Sequence, residues 1–250
     1  MLRQILKAHS KTPIEALYLE LGCVPIRYIL KSRRINYLHY ILRLDKSELL
    51  WKVFEAQMNN PAKCDWYLQV IQDLKDFDIS TDLNKLSSFS KDSFKKIVKS
   101  KQEIAALKYL NNIKSKHSKM TNLNYENIEL QPYLNNELVY PQCAQNIFKW
   151  RTRMQNVTKN FSNGNEDLSC KFGCTNFDSQ EHLLNCIYIK SKLSDSSVST
   201  SQYYDLFTRD VVKVKEIVNI LCQALQVREK LLEKKQSNCS WREIFQSCED

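Results

Sequence analysis

Three glycines and five prolines in 250 residues restrict this chain more than any motif does. Doubly wound and all-β folds turn the backbone often, and tight turns draw on glycine for positive φ and proline for a fixed one. So few of either leaves a chain built from helices. The same scarcity removes glycine-rich phosphate cradles, because Gly22, Gly164 and Gly173 form neither a G-x-G nor a G-x-x-x-x-G-K pattern. Hydrophobic residues at 43% and charged residues at 26% suit a globular protein with a real core. No run approaches the roughly 18 apolar residues of a membrane span. MLRQILKAHSKTP lacks a signal-peptide core, so the expected location is nuclear or cytoplasmic, away from membranes. In a reducing compartment the nine cysteines read as metal ligands or packed thiols, the latter for Cys23, Cys64, Cys143 and Cys222.

Hydrophobic periodicity and caps order the chain. Thr12-Pro13-Ile14-Glu15 reads as a capping box with proline at the first helical position, opening a short helix that ends near Gly22. Pro25 starts a second helix whose apolar face is Ile26, Ile29, Leu30, Tyr37, Leu38, Ile41 and Leu42. Further helices are expected over 47–58 and over 64–77, the latter anchored by Trp66, Leu68, Ile71 and Leu74. Residues 80–90 are polar and read as a linker. A long basic helix follows to about Lys116, then an irregular stretch with a short extended piece over 121–140, then a helix from Pro141 to about Met154. The expected division is a helical region over 1–79, the 80–90 linker, a basic helical region over 91–165, a metal module over 166–190, a serine-rich linker over 191–201, a long helix over 202–236 and a polar tail over 237–250. Trp241 and Phe245 are docking points in that tail. The fold class is all-α, an irregular bundle carrying a small zinc-knuckle module and a long C-terminal helix.

One constellation carries chemistry. CKFGCTNFDSQEHLLNC places Cys170, Cys174, His182 and Cys186 in a C-x3-C-x7-H-x3-C pattern. Thiolates and imidazole are the preferred ligands of tetrahedral zinc. Gly173 permits a tight turn between the first two cysteines, and Asp178 with Glu181 reads as a capping box for a helix presenting His182 and Cys186 one turn apart. Four protein ligands leave no open position, so one structural Zn2+ is expected rather than a catalytic one. Chance spacing in a cysteine-rich chain is the competing reading.

TPIEALYLELGCVPIRYILKSRRINYLHYIL, residues Thr12–Leu42, resembles the region just after the polymerase core of non-LTR (LINE-type) retrotransposon reverse transcriptases, which show a similar LYLELG–PI–RR–hydrophobic pattern. The W-x-x-x-V-x-x-D-L piece at Trp66–Leu74 is similar to the segment that follows, and CKFGC…QEHLLNC is similar to the family's CCHC zinc knuckle. The blocks occur in the family's order across Met1–Cys186. Two departures stand out. Three residues rather than the more usual two separate Cys170 from Cys174. The Y-x-D-D-like hairpin of the polymerase is absent, and Asp45, Asp65, Asp73, Asp76 and Asp78 read as solvated or capping groups. The resemblance implies thumb-like helices over 1–79, a knuckle that grips nucleic acid, and a retroelement fragment or truncated copy with no catalysis of its own.

Lys and Arg total 37 against 28 Asp and Glu, a formal charge of +9, which suits phosphate contact driven by counterion release. The candidate contacts to RNA or DNA are Arg27, Lys31, Arg33 and Arg34, then Lys95, Lys96 and Lys99, then Lys149, Arg151 and Arg153. Phe172 and Phe177 are candidates to stack on unpaired bases. A solvated helix face is the plain alternative for each charge run, and core packing for each aromatic. The other function class is a helical interaction or structural module, docking a protein partner through the terminal stripe Val211, Val214, Ile217, Val218, Leu221, Leu225 and Leu232. His9, His39 and His117 have no motif context.

Overall fold

The computed structural model describes residues 2–61, 65–117, 120, 122–123, 125–135, 137, 139–161, 167–193 and 200–246, and of residues 65, 200 and 236–246 the backbone alone. Helices α1 (Leu2–Ile5), α2 (Ile14–Glu20), α3 (Ile26–Ile41), α4 (Leu49–Asn59), α5 (Asp65–Asp76), α6 (Leu83–Ser87) and α7 (Lys91–Lys114) are followed by α8 (Pro141–Arg151), α9 (Thr158–Phe161), α10 (Gln180–Leu183), α11 (Ile187–Lys190) and α12 (Val211–Gln246). Short 3-10 turns cover Pro132–Leu134 and Thr200–Phe207. Among the described residues there is no sheet, only isolated bridges at Leu21–Leu130 and Ser169–Phe177. The fold is all-α with a long C-terminal helix. No described helix is long and apolar enough to cross a membrane.

Two compact units share the chain. The first comprises residues 1–21, 117–124 and 130–250, and the second 22–116 and 125–129. The stretch 91–165 is thus divided between them. The second unit packs α3 to α7 around Ile35, Leu38, Ile41, Phe54, Val70, Leu74, Phe94 and Val98. Ile26, Leu30 and Tyr37 of the expected α3 face stay exposed, as do Leu68 of α5 and Ile104 of α7. Asp73 is not solvated as read from sequence: it is buried and receives Arg34 Nε at 2.6 Å. The first unit has its own core, built on Leu17, Ile147, Phe148, Trp150, Leu183, Leu184, Val218 and Leu221. At its centre the buried Glu20 accepts from Arg151 Nε at 2.9 Å and from the Tyr133 hydroxyl at 2.8 Å.

Several expected boundaries move for local reasons. Pro13 and Pro25 occupy the N-cap position in extended geometry rather than the first helical turn. Pro13 is itself extended, at ψ 135°, so the helix begins one residue later, Thr12 is one position too early to cap, and its buried hydroxyl has no partner. Pro141 does open α8 as a first-turn residue. The expected linker over 80–90 contains α6, because the Asp82 carboxylate accepts from the Asn84 and Lys85 amides and Leu86 is buried. Asp210, accepting from the Val212 and Lys213 amides, delays the terminal helix to Val211, past a 3-10 segment. The expected contacts of Cys64, Trp241 and Phe245, and the serine run over 194–199, lie outside the described residues or side chains.

His39 is a buried imidazole of the second unit. Its ring stacks on Phe94 at 4.1 Å and its Nε2 meets the Phe89 carbonyl at 3.2 Å. Burial pushes the imidazole below its ordinary value and Arg43 pushes the same way, against the Phe89 carbonyl. The unfolded chain therefore takes up the proton first as pH falls below about 6.5. The stability His39 contributes is complete above that pH and shrinks toward the lower folded value. Hydrogen exchange of α3 amides should accelerate as pH falls below about 6.5, beyond the intrinsic pH effect. His39→Phe should remove that excess; an excess unchanged in the variant would place the titration elsewhere.

Candidate metal centre

The segment from Leu168 to Lys190 has little regular structure, yet it gathers four donors. The Asp178 amide bonds to the Leu168 carbonyl at 2.8 Å, and the Cys170 amide to the Asn176 carbonyl at 2.9 Å. Between them the chain turns back at Gly173, whose amide reaches the Cys170 carbonyl at 3.0 Å. Gly173 has φ +86°, a left-handed conformation that L side chains rarely adopt. Nothing else crowds the position, so backbone geometry alone demands glycine there. The turn carries Cys170 and Cys174.

The other two donors come from a broken helix. Ser179, not Asp178, caps α10, its hydroxyl accepting from the His182 amide at 3.2 Å. The helix stops after Leu183, and Cys186 is the N-cap of α11. The Cys186 amide still bonds to the His182 carbonyl at 2.7 Å, which keeps the pair one turn apart across the break.

The donor atoms of Cys170, Cys174, His182 and Cys186 all lie within 4.8 Å of one another. Cys186 Sγ stands 3.9 Å from Cys170 Sγ and 3.7 Å from Cys174 Sγ. Two sulfurs bound at about 2.3 Å to one tetrahedral ion stand about 3.8 Å apart. A disulfide would need about 2.05 Å. His182 is buried, and neither ring nitrogen has a hydrogen-bond partner. Two orphaned buried nitrogens cost free energy unless something else satisfies them, and a cation facing one of them does so. Burial pushes His182 down, with Asp178 opposing, toward the neutral ring that ligates. Burial, with the Cys174 and Cys170 thiols, pushes Cys186 up to about 12. Such thiols ionise when a bound cation supplies the countercharge. The residues fit a metal ion in a closed three-thiolate, one-imidazole site.

Distant elements hold this module in place. Asp178 binds Arg228 of α12 through two contacts, Nε to Oδ1 at 3.1 Å and Nη2 to Oδ2 at 2.6 Å. It also accepts the Thr158 amide and hydroxyl at 2.9 and 2.7 Å. Burial pushes the carboxyl up, but Arg228 and Thr158 outweigh it and hold Asp178 below its ordinary value. The Gln180 amide donates to the Trp150 carbonyl at 2.9 Å. Sequence reasoning missed Arg228 as a partner; its signal was a lone cation on the apolar face of the terminal helix, seven residues from Leu221.

The candidate nucleic-acid contacts divide sharply. Arg151 is buried on Glu20 and on the Leu206 carbonyl at 2.6 Å, which does not suit a phosphate contact. Arg153 pairs with Glu181 at 2.6 Å. Lys31 pairs with Asp76 and Arg34 with Asp73. Arg27 lies on the Tyr109 ring at 3.3 Å. Lys149 is half-buried. Phe172 is half-buried against Tyr188, whereas Phe177 is 58% exposed with the Lys159 ammonium over its ring. Arg33, Lys95, Lys96 and Lys99 are exposed, with no ion pair among the described residues.

Arg228→Met strands the Asp178 carboxylate in the core. Breaking a buried pair from one side costs about 3 kcal/mol. Urea unfolding of the first unit should show a loss of that size, with faster hydrogen exchange over α9 and α10. A loss below about 1 kcal/mol would mean that the pair holds nothing in place.

Compared with protein-family models, curated proteins and solved structures, the chain matches none.

Proposed function

We propose that this chain is a nucleic-acid-binding protein whose first unit is locked by one structural zinc ion at Cys170, Cys174, His182 and Cys186, and which acts by binding rather than by catalysis. The observation that carries this reading is the set of candidate cations that no acidic group pairs with among the described residues. Arg33, Lys95, Lys96 and Lys99 stay exposed and unpaired among the described residues of a chain whose formal charge is +9. Lys96 and Lys99 sit three apart on α7, on one face of a helix 24 residues long. Exposed cations of this kind release counterions on meeting phosphate, the main source of sequence-independent affinity. Zinc is the ion of choice for three thiolates and an imidazole, and a closed site supports folding.

A retroelement origin is part of this proposal. It rests on the residue patterns of Thr12–Leu42, Trp66–Leu74 and Cys170–Cys186 and on nothing else. A protein-docking role drew on the apolar stripe of α12, but Val214, Ile217, Val218 and Leu221 are buried in the first unit's own core. That use of the stripe favours the nucleic-acid reading.

Fluorescence anisotropy with a labelled oligonucleotide, across a salt series, tests the reading. Affinity should fall steeply with salt, and Lys96→Glu with Lys99→Glu should weaken binding about tenfold near 50 mM salt and flatten the log–log slope by about 1.5. Binding that ignores both salt and these substitutions would contradict it.

A further inference from the structure

A groove of about 650 Å³ opens in the second unit between α3 and the start of α7. One wall is a stripe on α3, with Tyr37, Tyr40 and Arg43 spaced three residues apart along the helix and just beyond its end. The other wall is Lys91 and Lys95, four residues apart on α7. His39, stacked on Phe94, forms part of the floor.

Two features of this lining need an explanation. Tyr37 is 44% exposed and Tyr40 54%, although tyrosine rings of this size are normally packed away. Their rings are close to parallel, at 22° with centroids 6.2 Å apart, and Trp66 holds Tyr37 edge-on at 5.9 Å. The ring faces are therefore set in place before anything binds, which lowers the ordering cost of a ligand. All three charged lining residues are cations, Arg43, Lys91 and Lys95, each exposed and without an ion pair among the described residues. Among the described residues no carboxylate lines the groove.

Fixed aromatic faces beside unpaired cations match one ligand chemistry, a planar ring attached to a phosphate chain. A duplex keeps its bases stacked inside and offers phosphates alone. A single strand can turn its bases onto tyrosine while its phosphates meet the cations. We propose that this groove binds single-stranded nucleic acid, with bases stacked on Tyr37 and Tyr40 and phosphates on Arg43, Lys91 and Lys95. The inference rests on the nucleic-acid reading above and adds where a single strand lies and why it is preferred to a duplex.

The test uses the full zinc-loaded chain, a labelled oligodeoxythymidine of about twelve nucleotides and a duplex of equal length. Wild type should prefer the single strand. Tyr37→Ala with Tyr40→Ala should weaken single-strand binding at least about fivefold, leave the salt slope unchanged and erase the preference over duplex. Tyr37→Phe with Tyr40→Phe keeps the ring faces and should bind as wild type does, which separates stacking from a fold defect. Wild-type affinity in the alanine variant would overturn the groove but leave the cation-face reading intact, provided Lys96→Glu with Lys99→Glu still weakens binding. Phenylalanine variants as weak as alanine would also overturn it, since stacking would not be the cause. Equal competition by polyglutamate would assign the groove to an acidic peptide instead. No binding by wild type to either oligonucleotide would end both proposals.

Discussion

Three thiols and one imidazole held within 4.8 Å of each other are the constraint on which the first unit depends. The helices around them, α9, α10 and α11, have four residues each. Helices that short do not hold themselves together, since even isolated helices of about 12 residues are marginal in water. Their positions come instead from packing, with Leu183 and Ile189 in the first unit's core, and from cross-links. A metal ion held by the donor cluster would tie the Cys170–Cys174 turn to α10 and α11. Asp178 ties the same loop to Thr158 and to Arg228 of α12, a contact spanning 50 residues of sequence. Without a bound cation, both buried ring nitrogens of His182 lack a partner beside the three thiols.

Buried carboxylates also decide which cations are left for a partner. Glu20 claims Arg151, Asp73 claims Arg34 and Glu181 claims Arg153, each through a contact under 3 Å. These pairs lie in or at the edge of the two cores, where a lone charge is costly. Of the candidate contacts, Arg33, Lys95, Lys96 and Lys99 stay outside, with Arg43 and Lys91 beside Lys95 along the α3–α7 groove.

The readable parts of this architecture are those set by local spacing. The helix class follows from the shortage of glycine and proline. The four donors follow from C-x3-C-x7-H-x3-C, and the start of α7 from Ser90, whose hydroxyl accepts from the Ser93 amide. Misreadings occur where a side chain finds a distant partner in place of the local one. Asp178 resembles a helix cap but binds Arg228, and Ser179 caps in its stead. Asp73 resembles a surface acid but is buried under Arg34. Arg151 sits in a basic cluster in sequence and in the core in space. Nothing within a few residues of any of them signals the partner, which lies 39 to 131 residues away.

Native mass spectrometry of the full chain and of His182→Ala tests the central claim most directly. The account predicts one zinc ion per wild-type chain, its loss in the variant, and faster hydrogen exchange from Leu168 to Lys190 when the ion is gone. A folded wild-type chain that carries no zinc, and gains no protection in that segment when zinc is added, would contradict it.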